Sequence, residues 1–491
     1  MTVPARSSFA TVLLLAACTA GPCGPPSQGT SAQAQAALAT LLATQDLAGA
    51  RIGVMVRDLE TGDVLCAHDA DKGFLTASNM KLLSSAIALS RLGTEFRFDT
   101  RVVAESVDGD TVAGDLFLVG GGDPSLGSEP EVASSGDVMA PLHALAVSLH
   151  ARGIRRVRGC VRGDASAQSF ARYGNGWQWD YLEEDYAAPC AALNFAQNVL
   201  TVLVHPTSFG LPARLELELP IALPTWLRCE VATVSSNGDS GVHFARSPLD
   251  SEVVVTGAIA AGAKPVRLQV AVPDPAAYAA AAFTAALHAC GIVVDGEAGV
   301  GIAPPGAQVV AEHRSPPLSA IVVPLLEHSI NLYAEQCWRT AAHRLVFARS
   351  FADCERFGKQ ALSNLDVDTA GMVLADGSGL SRRNLVQPRQ LVALLAAVHT
   401  EPRLRPMNDA LPVAGVSGTL KARFQDSAAA GRVRAKTGFV SYVIGLSGYV
   451  DRDATAAPVA FSVLVNNFTC EPDAAKAAVD AFVEQLAASL R

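Results

Sequence analysis

Over residues 96–272 the chain carries short β-type runs punctuated by Gly, Asp and Pro, whereas the segments on either side are Ala- and Leu-rich with helical spacing. Such a switch and its reversal suit one core interrupted by inserted material better than a string of unrelated domains. Before the switch, residues 31–47 predict a helix with Ser31 as N-cap, and residues 52–56 and 64–67 predict a hairpin about Glu60-Thr61-Gly62-Asp63. Residues 78–92 predict a second helix, closed by Gly93. After it, helices are expected at 275–290, 317–342, 388–400 and 472–490, with adjacent strands at 433–450 and 459–467. The expected architecture is an α/β domain split into residues 35–95 and 273–491. A large β-rich insertion, 96–272, of two subdomains, lies between them. No internal repeat is visible.

Composition narrows the class. Half of the 491 residues are hydrophobic and 17% are charged, which excludes wholesale disorder. A net charge of −9 argues against a nucleic-acid partner, which calls for a basic face. Residues 1–17 read as a signal peptide, with Arg6 before a short apolar run from Phe9 to Ala17. That run is too short to anchor the mature protein across a bilayer. It ends in Leu15-Ala16-Ala17-Cys18, similar to the lipobox of bacterial lipoproteins, so Cys18 is the predicted lipid anchor; cleavage near Ala20, giving a soluble product, is the alternative. Residues 18–34, rich in Gly, Pro, Ser and Gln, are expected to form a flexible tether. The expected location is the periplasm. The other eight cysteines, scattered from Cys66 to Cys470, include no CxxC pair and no His at ligand spacing. No metal site is expected from them, and any disulfide connectivity is unreadable.

Three short motifs carry the chemistry. Ser78-Asn79-Met80-Lys81 is SxxK, Ser329-Ile330-Asn331 is SxN, and Lys436-Thr437-Gly438 is KTG. The chain has only seven lysines against 31 arginines, and two of the seven fall in these motifs. Ser78 and Lys81, three apart at a helix start, share one face. A serine hydroxyl is a poor nucleophile until a base removes its proton, and Lys81 can do so once burial and a nearby cation such as Lys436 lower its pKa. Ser329 can pass a proton to a leaving amine, and Asn331 can bond Lys81 and substrate. Lys436 and Thr437 on a strand can hold a carboxylate, with Gly438 permitting close backbone approach. The set suits acyl transfer from a peptide ending in a free carboxylate.

With these motifs the chain resembles the serine penicillin-recognising enzymes. Lys81 and Ser329 are 248 residues apart, far more than in ordinary β-lactamases, and Asn331 and Lys436 are 105 apart. That spacing is similar to the class C low-molecular-mass penicillin-binding proteins, the D-alanyl-D-alanine carboxypeptidases and endopeptidases. Gly121-Gly122-Asp123-Pro124, the run from Asp376 to Arg382, and Gly418-Thr419-Leu420 also match that family. The resemblance implies a penicillin-recognising fold and a periplasmic serine DD-peptidase acting on peptidoglycan stem peptides. It further implies covalent inhibition by β-lactams and no metal or organic cofactor. By the same resemblance Ser78 is the acylated nucleophile, Lys81 the base, Ser329 and Asn331 the relay and positioning pair, and Lys436 and Thr437 the carboxylate site. The N–H groups of Ser78 and Phe439 form the implied oxyanion hole. Arg382 and Asp180 are expected in a pocket for the free end of diaminopimelate-type side chains, with Glu183, Glu184 and Asp185 close enough to compete with Asp180. Thr76, where a Pro often stands, and Ile330 inside SxN are mild departures.

Two rivals use the same fold: a β-lactamase, revealed by rapid nitrocefin turnover, and a non-catalytic binding protein, revealed by failure to acylate. Gly238-Asp239-Ser240-Gly241 and Thr340-Ala341-Ala342-His343 mimic fragments of chymotrypsin-like proteases, but their order is reversed, and the first reads as a turn.

Overall fold

The computed structural model of the protein describes residues 28–129, 136–247, 251–452 and 456–490. The predicted signal peptide and Cys18 lie outside them.

The catalytic half is a three-layer sandwich. Its N-terminal part supplies helix α1 (Gln28–Leu42), the hairpin β1 (Arg51–Asp58) and β2 (Val64–His68), and helix α2 (Met80–Leu92). Within the insertion lie β3 (Asp99–Ala104), β4 (Leu116–Gly120), helix α3 (Ala140–Ala151), β5 (Val161–Asp164), helix α4 (Pro275–Ala289), β6 (Gly299–Val300) and β7 (Gln308–Arg314). The chain then returns through α5 (Leu318–Glu327), α6 (Asn331–Val346), α7 (Phe351–Ser363), α8 (Pro388–Thr400) and α9 (Arg405–Asp409). Strands β8 (Val433–Val440), β9 (Val443–Val450) and β10 (Val459–Asn466) and helix α10 (Pro472–Ser489) close it.

The central sheet has the order β8-β9-β10-β1-β2, and every neighbouring pair is antiparallel. β9 and β10 are buried on both faces, so they read as continuous apolar runs rather than alternating ones. One face packs on α1 and α10 through Leu41, Val54, Val463, Phe482 and Leu486. The other packs on α2 and α5–α8 through Leu83, Leu325, Trp338, Leu391 and Leu464. Burying one helix stripe on each face of the sheet leaves only β8 and β2 as edges, and the active site is built on β8.

The structure alters three expectations. Helix α1 begins at Gln28, inside the stretch expected to be a tether, and stops at Leu42, with a separate turn at Gln45–Leu47. The inserted region does not end at 272: α4 buries Ala276, Ala279, Phe283 and Leu287 in the insertion's own core, and β7 pairs antiparallel with β3. The chain re-enters the catalytic half near Ser315. The cause is that α4 carries an apolar stripe whose partner lies in the insertion, a fact helical spacing alone does not encode. Finally, the helix expected at 317–342 is two helices, α5 and α6, broken at Ser329, which takes a left-handed φ of 62°.

Within the insertion a five-stranded sheet runs β6-β5-β4-β3-β7, accompanied by two three-stranded sheets and a small four-stranded one. The eight cysteines of the described residues are all free thiols. Among the described residues no helix is long and apolar enough to cross a membrane.

Candidate active site

Ser78 occupies a single 3-10 turn, Ala77–Asn79, that leads into α2. Ala77 has a φ of 44°, an unfavourable value for a residue with a Cβ. The neighbours hold that conformation. A Cβ on Gly438 would meet Asn79 Nδ2 at 2.7 Å and Thr76 O at 2.8 Å, so the KTG glycine lets β8 lie directly against the serine turn. A Cβ on Gly379 would sit 1.8 Å from Ala77 O, and Gly379 itself has a φ of 90°. Gly379→Ala is therefore expected to destabilise the protein by roughly 1–3 kcal/mol from backbone strain alone and to slow acylation of Ser78. An unchanged urea midpoint would contradict the packing described here.

Lys81 is fully buried. Its Nζ donates to Ser78 Oγ at 2.8 Å, to Asn331 Oδ1 at 2.5 Å and to the carbonyl of Ser378 at 2.8 Å. Burial pulls its pKa down to about 7, against the opposing pull of Asp376 and Glu335. Lys436, also fully buried, donates to Ser329 Oγ at 2.8 Å and to the carbonyl of Thr437 at 3.0 Å. Burial first, and the neighbouring Lys81 second, push its pKa well below the usual lysine range. Both amines are thus poised as proton carriers. Thr437 and Thr419 pair their hydroxyls at 2.9 Å on the outer side of this pair. Asn331 also donates through Nδ2 to the carbonyl of Tyr186, at 2.7 Å. Phe439 follows on the edge strand, 48% exposed, with the Lys476 ammonium 5.1 Å from its ring centroid.

All three motifs therefore converge: Ser78, Lys81 and Asn331 meet directly, and Ser329 and Lys436 form the adjoining pair. The left-handed break at Ser329 starts α6 immediately afterwards, at Asn331.

Glu335 and Arg339 were not found from sequence, and Asp376 was known only as part of a matching run. Glu335, one turn after Asn331 on α6, is fully buried and accepts from the N–H groups of Gly377 (2.8 Å) and Ser378 (2.9 Å) through one oxygen. Its other oxygen accepts from Arg339 Nε at 3.2 Å. Because Ser378 O receives the Lys81 ammonium, Glu335 fixes the acceptor that positions the base. Asp376 accepts from Gly379 N (2.9 Å), Ser381 N (2.8 Å) and Trp177 Nε1 (2.8 Å), tying the 376–382 run to the insertion. The spacing of Asn331, Glu335 and Arg339 at successive helical turns was the available signal.

The expected second pocket is brought together only in part. Arg382 donates to Gln178 Oε1 at 3.0 Å and to the carbonyl of Ser441 at 2.5 Å, so it does meet the 177–180 segment. Asp180 lies exposed on the short turn Trp179–Tyr181, and it is its neighbour Gln178 that holds Arg382. The protease mimics stay apart: Ser240 accepts from Ala260 N in the insertion, while His343 packs edge-on against Phe170 from α6.

A sandwich with a serine at a helix start and a buried lysine three residues on is shared with the penicillin-recognising serine hydrolases. Residues 34–489 match the D-Ala-D-Ala carboxypeptidase 3 (S13) family, to which the chain belongs. The D-alanyl-D-alanine carboxypeptidase of Actinomadura sp. (strain R39) is 37% identical over 457 residues, covering 90% of this chain and 82% of that protein. The crystal structure of penicillin binding protein 4 from Haemophilus influenzae superposes with a TM-score of 0.79 at 26% identity, covering 92% of this chain and 99% of that one. A structure of the same Haemophilus protein complexed with a β-lactam gives a TM-score of 0.74 at 24% identity. The chain is a class C low-molecular-mass penicillin-binding protein and a serine hydrolase of the D-Ala-D-Ala carboxypeptidase type.

Proposed function

We propose that the protein hydrolyses the D-Ala-D-Ala terminus of peptidoglycan stem peptides through an acyl-enzyme on Ser78. The observation that carries this is the contact of the fully buried Lys81 amine with Ser78 Oγ, itself partly exposed, at 2.8 Å. Neutral Lys81 takes the Ser78 proton as Oγ attacks the carbonyl carbon of the penultimate D-Ala. The leaving amine receives a proton from Ser329, and the proton taken from Ser78 replaces it, passed from Lys81 by way of Lys436, so that Lys81 is neutral again. Water then attacks the ester with Lys81 again as base, releasing the shortened peptide and restoring Ser78. The N–H groups of Ser78 and of Phe439 on the edge strand serve the oxyanion. The hydroxyls of Thr437 and Thr419 receive the terminal carboxylate. Lys436 points instead at Ser329, which makes it a proton carrier more than a charge for that carboxylate.

A cavity of about 900 Å³ opens beside Ser329 and Asn331, walled by Tyr186, Arg267, Tyr278 and His328. It favours a second use of the same acylation step, the cutting of a D-Ala to diaminopimelate cross-link whose leaving group is a whole second stem.

The test is the intact mass of the protein after incubation with benzylpenicillin, with peptide mapping over time. A stable adduct on Ser78 is expected; an adduct that turns over within seconds makes the protein a β-lactamase, and none on folded protein makes it a binding protein. Arg382→Ala should reduce kcat/KM by roughly 10–100-fold for substrates with a free side-chain ammonium–carboxylate end, and much less for blocked D-Ala-D-Ala peptides. Equal losses on both would remove Arg382 from that pocket. Export by residues 1–17 to the periplasm, and lipid attachment at Cys18, complete the proposal. The mass of the mature N-terminus in the membrane fraction decides both.

A further inference from the structure

Asp123, Glu129 and His313 lie up to 190 residues apart in the chain, yet one ligand atom from each comes within 4.8 Å of the others. Asp123 is 2% exposed and Glu129 5%. Asp123 uses Oδ1 to accept from the N–H and hydroxyl of Ser125, at 2.8 and 2.6 Å, and Glu129 uses Oε2 to accept from Gly127 N at 2.9 Å. Their second oxygens, Asp123 Oδ2 and Glu129 Oε1, are buried without a hydrogen-bond partner, and so is His313 Nε2. The imidazole Nε2 stands 3.2 Å from Glu129 Oε1, an ion pair when the ring is protonated.

Two buried carboxylates and an imidazole converging in the interior are unfavourable unless something positive sits between them, and the Glu129–His313 contact leaves Asp123 Oδ2 without a partner. A proton on one carboxyl relieves part of the repulsion and leaves the remaining acceptors unsatisfied. The set of two oxygens and one imidazole nitrogen matches the ligands zinc accepts, with a fourth position left for water.

We propose that Asp123, Glu129 and His313 bind one divalent transition-metal cation, of which zinc is the best-matched. Asp123 and Glu129 come from the loop after β4 and His313 from β7, so the cation fastens the loop to the sheet of the insertion. The loop in turn grips the catalytic half: Ser128 Oγ lies 2.9 Å from Tyr333 Oη, and that phenol donates to Ser128 O at 3.0 Å. Tyr333 stands two residues after Asn331 on α6. The site is therefore a positioning site for the SxN segment, remote from the bonds that change, and it stands whether or not the proposed reaction is correct.

The experiment uses the full mature chain, stripped with EDTA and then titrated with zinc, with bound metal counted by mass spectrometry and Tm followed alongside. One equivalent per chain and a rise in Tm of several degrees are expected. His313→Gln, at a partly exposed strand position, should bind zinc at least ~10-fold more weakly than wild type while still forming the benzylpenicillin adduct. Asp123→Asn should do the same where it folds, and His313→Gln decides alone where it does not. Wild-type protein that takes up no zinc or manganese overturns the proposal. So does a His313→Gln protein that binds zinc as wild type does, since the ions then sit elsewhere.

Discussion

Ser78→Ala protein should gain no mass with benzylpenicillin and should release D-Ala at least ~10⁴-fold more slowly than wild type. The reason is geometric. Among the described residues, Ser78 supplies the hydroxyl that meets the Lys81 amine at the mouth of the β8 edge, and no other serine of the motifs can replace it. Ser329 accepts from Lys436 at 2.8 Å, which suits it to pass a proton rather than to take an acyl group. The substitution removes one oxygen from a half-buried position, so the fold should survive it, and a circular dichroism spectrum identical to wild type is part of the expectation. A residual adduct mapped to Ser329 would reassign the nucleophile.

Lys81→Ala should lower the acylation rate by about 10²–10⁴-fold, the contribution of a well-placed general base. Lys81→Arg should not restore it, because a guanidinium cannot give up its proton at any working pH. The wild-type pH profile carries the same information. Lys81 acts only when neutral, and its pKa lies near 7, so acylation should be flat above that value and fall as pH drops through it. At pH 6 the rate should be about tenfold below the plateau. In Lys81→Ala the limb should vanish along with the activity. A wild-type profile flat from pH 5 to 8 would mean that another group takes the proton, and Lys436 would be the next candidate, since its pKa is lowered too.

Both substitutions touch residues that were legible in the sequence, and for a local reason. Ser78 and Lys81 are three residues apart on one helical turn, so their meeting needs no distant information. Ser329 with Asn331, and Lys436 with Thr437, were legible as composition-rare motifs on plausible elements. The residues that hold them in place were not. Glu335 reads as an ordinary helix acid, and its function as the acceptor for Gly377 and Ser378 exists only because α6 packs beside the 376–382 run. Arg382 and Asp180 were named through a resemblance as members of one pocket, and the hydrogen bond of Arg382 to Gln178, two residues before Asp180, exists only in the folded chain.

The chain's own pattern determined the split α/β core, the motifs that put forward a nucleophile and a base, and the adjacent strands that carry KTG. Each of these depends on side chains within a few residues of one another, or on an apolar period that any core would satisfy. The tertiary structure alone decided where the insertion ends, since the stripe of α4 is equally apolar whichever core it enters. It alone lowered the lysine pKa values, because burial is imposed by chain hundreds of residues away. The sequence-based expectation of a metal-free protein rested on the family resemblance and on cysteine spacing. Asp123, Glu129 and His313 escape any such reading, because loop and strand bring them together only when the insertion closes on itself.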